Sequence, residues 1–280
     1  MTTPLTLAEA VPLGSVHLQR LLERAGVRSL AIKGPAFVEL GVRQRRTSND
    51  IDLLVHPNDR GRATTALEEA GWSIISHWFP PALDDIIYST TFHHALFPVS
   101  LDLHHRFSGL LAQDAFDHLW ERRCGVELAR QGITTVSLAD ALIIEALNSM
   151  KLLERAERRP AVKRVVEAAG EVDATVVATC AETLGAGHTA RLLIEVLGGP
   201  APLGPPPQGY ERWLRRGAKN GSRELIRDIL VRSPQHAPRV IWEQLTLDPA
   251  MARFWAKTHN VPYRSPHQIL WVRIRRMLRP

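Results

Sequence analysis

Residues 50–55, DIDLLV, set two aspartates one residue apart in an otherwise apolar stretch, and this alternation limits what that part of the chain can become. Read as a strand, it sends Asp50 and Asp52 to one side and Ile51 and Leu53 to the core, with the two aspartate Cα atoms about 6.5–7 Å apart. Two like charges that close repel each other unless a cation lies between them, and oxygen donors of this kind favour a hard ion such as Mg²⁺. SLDLHHRF, residues 100–107, supplies Asp102 in the same apolar-flanked setting, on a strand able to lie beside the first. Three acids on adjacent strands can hold metal ions that activate an attacking oxygen and steady a leaving one in phosphoryl transfer.

The surrounding pattern places those strands in an α+β region. SVHLQRLLERA (15–25) has helical apolar spacing, VRSLAI reads as a strand entering a turn at Lys33-Gly34, and Pro35 suits the first turn of a short helix through Leu40. After DIDLLV come a capped helix in PNDRGRATTALEEAGW, a strand in SIISHWF, and a hairpin formed by DIIYSTTFHHALF and VSLDLHHRF across Pro98. From Ser137 the character is helical: SLADALIIEALNSMKLLERAERR opens on a Ser137/Asp140 capping pattern and keeps one apolar stripe to Pro160. The expected organisation is a mixed sheet with flanking helices over residues 1–136, then an all-α domain over 137–280 carrying a Pro/Gly linker, GGPAPLGPPPQG, at 198–209.

Composition removes other classes. With 280 residues, 45% hydrophobic and 23% charged, the chain has the make-up of a folded globular protein. Two cysteines make no disulfide framework, the first residues lack a signal-peptide pattern, and no apolar run is long enough to span a bilayer, so a reducing cytoplasm is the expected location. Of the 35 basic residues, against 29 acidic, only five are lysines; arginine forks suit a phosphorylated ligand, though codon bias gives the same excess.

Several residues near the acids bear on a phosphate. Lys33 stands at a Gly turn entering a helix N-terminus, where backbone N–H groups favour anions; the alternative is a solvated strand end. Of Arg43, Arg45 and Arg46, the last is nearest the acids and is the candidate for a triphosphate, while the run as a whole reads as a solvated face. Ser48 either bonds a phosphate or makes a turn. In His93-His94 and His104-His105 adjacent residues point to opposite strand faces, so neither pair chelates zinc. His104 shares the face of Asp102 and lines the pocket, whereas His105 is structural. Lys151 either reaches the nucleotide or is a surface lysine.

Taken together, IKGPAF, RRTSNDIDLLV and LDLHHRF resemble the nucleotidyltransferases of the DNA polymerase β superfamily, and more narrowly a bacterial branch with a Lys-Gly turn and an Asp-Leu-His strand. The resemblance is dense over residues 28–107. It departs from the wider pattern in having Pro35 where a small hydroxyl residue usually stands, and in a longer gap to Asp50. What the resemblance implies is a nucleoside triphosphate, ATP among the candidates, and release of pyrophosphate as a nucleoside monophosphate passes to an acceptor. Asp50, Asp52 and Asp102 would hold Mg²⁺ or Mn²⁺, with Asp102 helping to deprotonate the acceptor, and Lys33, Gly34 and Arg46 would hold phosphate oxygens. The acceptor would be a hydroxyl on a small molecule, peptide or protein; the alternatives are an RNA-end-modifying, toxin-like enzyme or an inactive nucleotide-binding module.

At the C-terminus, residues 267–279 predict an amphipathic helix with Leu270, Trp271, Ile274, Met277 and Leu278 on one stripe and arginines on the rest. The stripe is expected to pack on its own domain, with membrane or acceptor docking as the alternative.

Overall fold

The computed structural model describes residues 5–76, 78–84, 86–151, 153–216, 221–259 and 261–278. The chain forms two compact units, residues 1–73 with 88–219, and residues 74–87 with 220–280. Residue 137, where the sequence turns helical, lies inside the first.

The sheet has seven strands, β1 (Ser29–Ala31), β2 (Asp50–Val55), β3 (Trp72–Ile74), β4 (Ser89–His94), β5 (Ser100–His104), β6 (Cys124–Leu128) and β7 (Gln131–Thr135), in the order β3-β4-β5-β2-β1-β7-β6. It is mixed: β2 runs parallel to β5 and β1 to β7, while the β1–β2, β4–β5 and β6–β7 pairs are antiparallel. The DIDLLV strand and the hairpin across Pro98 form as their alternation predicts. SIISHWF does so only at its start: β3 covers Trp72–Ile74, and the chain then enters a Pro80-Pro81 segment whose prolines cannot donate to a ladder.

Helix α1 (Leu7–Arg24) begins eight residues earlier than the SVHLQRLLERA stretch, because Thr6 and Glu9 close a capping box, with both the Thr6 backbone N–H and its hydroxyl donating to the Glu9 carboxylate. Its buried face carries Leu18, Leu22 and Gln19. The Gln19 amide donates to the carbonyls of Ser29 and Thr134 and accepts from the Thr134 N–H, so one side chain pins β1 to β7. Helices α2 (Gly34–Glu39), α3 (Arg60–Glu69) and α4 (Ala115–Glu121) fill the connections.

Beyond the sheet, α5 (Leu138–Ser149), α6 (Arg155–Ala169), α7 (Ala174–Thr183) and α8 (Arg191–Val196) share one core with it, in which Leu142, Ile143, Val162 and Leu193 pack with Leu30, Ile51 and Leu101. The single helix expected up to Pro160 is two. Glu154 and Glu157 close a second capping box that starts α6, and Pro160 sits within its second turn, where it forfeits one backbone bond and does not end the helix. Ser137 caps α5 as predicted, accepting from the Asp140 N–H, and the buried Asp140 carboxylate takes two bonds from Arg122, at 3.0 and 2.8 Å. The 198–209 stretch contains no helix or strand, and α9 (Tyr210–Arg216) follows it.

In the second unit, Leu83 and Ile86 pack with Ile229, Ala237 and Val240 of α10 (Gly221–Arg232) and α11 (Ala237–Leu245). A separate cluster joins Ala252 and Ala256 of α12 (Pro249–Thr258) to Ile269 of α13 (Pro266–Leu278). The tail therefore is a helix packed on its own unit, but by a face only partly shared with the expected stripe: Leu270 of the stripe packs on the core, Ile269 beside it is wholly buried, and Trp271 is 63% exposed. Ile269 lies beside Ala252 and Ala256, whose small side chains admit it. The side chains of Met277 and Leu278, and all of Arg279, lie outside the described residues.

Candidate active site

The parallel pairing of β2 with β5 places Asp52 directly beside Asp102, and the antiparallel β4 brings Thr91 against Asp102 from the other side. The Thr91 hydroxyl donates to Asp102 Oδ1 at 2.7 Å. Asp50, two residues before Asp52, opens β2 on the same face.

At the N-terminal end of α2, Lys33 and Gly34 take φ of +58° and +47°. The first is an uncommon conformation for a residue with a side chain, and it turns the Lys33 ammonium onto Asp52 Oδ1 at 2.6 Å. His104 Nε2 reaches the same oxygen at 2.9 Å. Lys33 and His104 thus both converge on Asp52. Around them, the Tyr88 ring stacks on His104 at 6.0 Å, and the Lys33 ammonium lies 5.6 Å from the Phe107 ring centre.

The electrostatics follow from this crowding. Burial, joined by the charges of Asp52 and Asp102, pushes the Asp50 carboxyl up to about 6. Burial also acts to raise Asp52, but the His104 hydrogen bond and then Lys33 outweigh it and bring this carboxyl down to about 2. Lys33 is pulled down by burial, yet Asp52, then Asp102 and Asp50, hold its ammonium above the usual value. Asp52, Asp102 and His104 each offer one ligand atom, all within 4.8 Å of one another. The converging carboxylate oxygens of Asp52 and Asp102, with Asp50 opening the same strand face, are a donor set that a hard divalent cation fits.

The remaining expected residues lie around this centre. Ser48 Oγ is 3.4 Å from where a Cβ on Gly34 would stand, so it roofs the Lys33-Gly34 turn. Arg46 is exposed. Arg43, set aside with its neighbours as a solvated run, is instead tucked in: its side chain is 11% exposed, its charge acts on Asp50, and its Nε lies 3.7 Å from Glu145 Oε1. Glu145, on α5, is raised by burial, with Arg43, Arg46 and Lys33 opposing. His105 faces away from the acids into a small cavity lined by Leu54, Phe107 and Phe116. Lys151 is exposed, with its ammonium 5.6 Å from the Tyr88 ring. Thr91 and Glu145 carried no sequence signal, since Thr in a strand and Glu in a helix are ordinary; only the register of β4 and the packing of α5 bring them here.

No curated protein matches the chain. Among solved structures, a lincomycin-bound lincosamide antibiotic adenylyltransferase, LnuA, is 19% identical with a TM-score of 0.38, covering 58% of this chain and 98% of its own. The ANT(2'')-Ia complex with adenylyl-2''-tobramycin is 13% identical, TM-score 0.41, covering 61% and 95%. An antigenic nucleotidyltransferase-like protein from Paracoccidioides brasiliensis is 16% identical, TM-score 0.43, covering 72% and 97%. The model of one protein family, described as uncharacterised nucleotidyltransferase, matches residues 13–158. That stretch is more than half of the chain and takes in Lys33, both acids of β2, Asp102 and Glu145, so the protein belongs to this nucleotidyltransferase family and is an enzyme of that class.

Proposed function

We propose that the protein transfers a nucleoside monophosphate from a nucleoside triphosphate to a hydroxyl on a small molecule, peptide or protein, releasing pyrophosphate. The observation that carries the reading is the strand register that sets Asp52 beside Asp102, with the Lys33 ammonium 2.6 Å from the first. A triphosphate approaching that many carboxylates is repelled unless cations intervene. Asp50, Asp52 and Asp102 would hold Mg²⁺ or Mn²⁺, which would supply the charge neutralisation that lets phosphate oxygens approach.

The chain's own groups do the rest. The α2 N-terminus and the Lys33-Gly34 turn bind phosphate oxygens, with Ser48 close to the turn, and the exposed Arg46 is the candidate to take the outer phosphates. His104 orients Asp52 by its 2.9 Å bond, and Thr91 orients Asp102 by its 2.7 Å bond. Asp102 accepts the acceptor hydroxyl proton as that oxygen forms its bond to the α-phosphorus; the bond from the α-phosphorus to the bridging oxygen breaks, and pyrophosphate leaves.

Calorimetric titration with ATP, GTP, CTP and UTP, each with and without Mg²⁺ or Mn²⁺, tests the reading. At least one nucleotide binds only when metal is present, and the Asp50→Asn/Asp52→Asn double variant loses that binding. Equal binding by the double variant would remove the site.

A further inference from the structure

The chain's positive charge is concentrated. Residues 74–87 and 220–280 carry eleven Lys and Arg against six Asp and Glu, whereas the rest of the chain carries twenty-four against twenty-three. Almost the whole net charge of +6 therefore belongs to the smaller unit, which also holds four of the seven tryptophans.

Three helices of that unit repeat one arrangement. Each buries an aliphatic anchor: Ile229 on α10, Val240 on α11 and Ile269 on α13. Each also exposes a large apolar side chain one helical turn from an exposed basic one. On α10 Leu230 and Val231, 54% and 72% exposed, follow Arg227 by three and four residues. On α11 Trp242, 67% exposed, follows Arg239 by three, an exposed arginine that pairs with Glu243 at 3.2 Å and lies over the Trp78 ring. On α13 Trp271 has exposed His267 and Arg275 four residues to either side. Residues three or four apart on a helix are neighbours on its surface, so apolar and basic groups alternate there within a few ångströms.

We propose that this unit docks on the surface of an anionic lipid bilayer, with Leu230, Val231, Trp242 and Trp271 entering the interface and the adjacent arginines meeting headgroup phosphates. Tryptophan rings and aliphatic chains both gain by leaving water at that depth, and arginine is drawn by the surface potential. A single-stranded nucleic acid would use the rings and the arginines but gains nothing from Leu230 and Val231, which cannot stack on a base. The aliphatic pair on α10 therefore favours the bilayer. This docking does not depend on the nucleotide chemistry, and none of its residues belongs to the acid cluster.

The test is co-sedimentation of the full chain with vesicles of phosphatidylglycerol and phosphatidylcholine in equal parts, and with vesicles of phosphatidylcholine alone. Binding is expected to the anionic vesicles only and to weaken as salt rises to about 0.5 M, where charges are screened within a few ångströms. The Leu230→Ser/Val231→Ser and Trp242→Ser/Trp271→Ser variants should each lower the partition coefficient about tenfold or more, and circular dichroism melts should match the wild type because all four side chains are exposed. Absence of binding to the anionic vesicles overturns the proposal, as does unchanged binding by both double variants. In a parallel arm with a labelled single-stranded RNA 20-mer, tighter binding than to vesicles that persists in Leu230→Ser/Val231→Ser assigns the surface to nucleic acid instead.

Discussion

Replacing Asp50 by asparagine should make the metal-free protein more stable, and by an amount that depends on pH. The carboxyl titrates at about 6 in the folded chain against an ordinary 3.8, so at neutral pH folding must hold ionised a group that resists ionisation. A difference of about two pKa units corresponds to roughly 3 kcal/mol at ~1.36 kcal/mol per unit; Asp50 is partly accessible, so about 1–2 kcal/mol is the realistic share. The sign follows from the raised folded value. Below 3.8 both states hold the proton and Asp50 costs nothing. As pH rises from 3.8 to 6 the unfolded chain releases its proton while the folded one keeps it, and stability drains away, levelling off above 6. Asparagine removes this drain, so the variant's advantage is near zero at pH 3.5 and full at pH 7.5. Because the chain has two compact units, amide hydrogen exchange of β2 and β5 in EDTA, compared at the same pH in both proteins, reads this unit alone. Added protection of about 5- to 30-fold is expected at pH 7.5, with none at pH 3.5. A variant less protected than the wild type at pH 7.5, or one whose advantage is the same at both pH values, would refute the electrostatic argument.

Asp102→Asn should abolish transfer while leaving the sheet folded, since the amide keeps the volume and can still bond Thr91; transfer at a near wild-type rate would make Asp102 structural. Arg122→Ala strands the fully buried Asp140 carboxylate and should cost the first unit about 3–5 kcal/mol, measured by the same exchange experiment. Gly34→Ala forces a side chain into φ +47° and should cost about 1 kcal/mol in stability, with a larger loss in nucleotide affinity by calorimetry as the turn under Ser48 shifts. Ile269→Ala should cost the second unit about 2–4 kcal/mol in exchange protection of α12 and α13, whereas Trp271→Ala leaves it unchanged.

The acid centre was legible because its geometry is local. Period-two alternation fixes Asp50 and Asp52 on one strand face, and a second apolar-flanked aspartate needs only a neighbouring strand, which the β2–β5 pairing provides. The Ser137 cap was legible for the same reason. The β6–β7 hairpin was not, because its two-residue turn is Ala129-Arg130, both at positive φ, where Asn-Gly or a similar pair is the usual signal. Arg43 read as one more solvated arginine, since nothing in its neighbours tells that α5, a hundred residues on, offers it Glu145. The C-terminal helix was predicted, but its buried side only in part: an amphipathic pattern with Ile269 among arginines has two plausible faces, and the small Ala252 and Ala256 on α12 select between them.

The second unit is discontinuous in sequence, and this has a consequence for synthesis. Leu83 and Ile86 are buried against Ile229, Ala237 and Val240, yet roughly 140 residues separate the two sets on the chain. At about 5–20 residues per second, a ribosome takes roughly 7–30 s to supply α10 and α11 after residues 81–87 have been made. During that interval the sheet of the first unit can assemble while an apolar segment hangs from it without its partners. A nascent chain of this protein is thus a natural client for a holding chaperone, and slowing translation between residues 88 and 219 should raise its aggregation without altering a single residue.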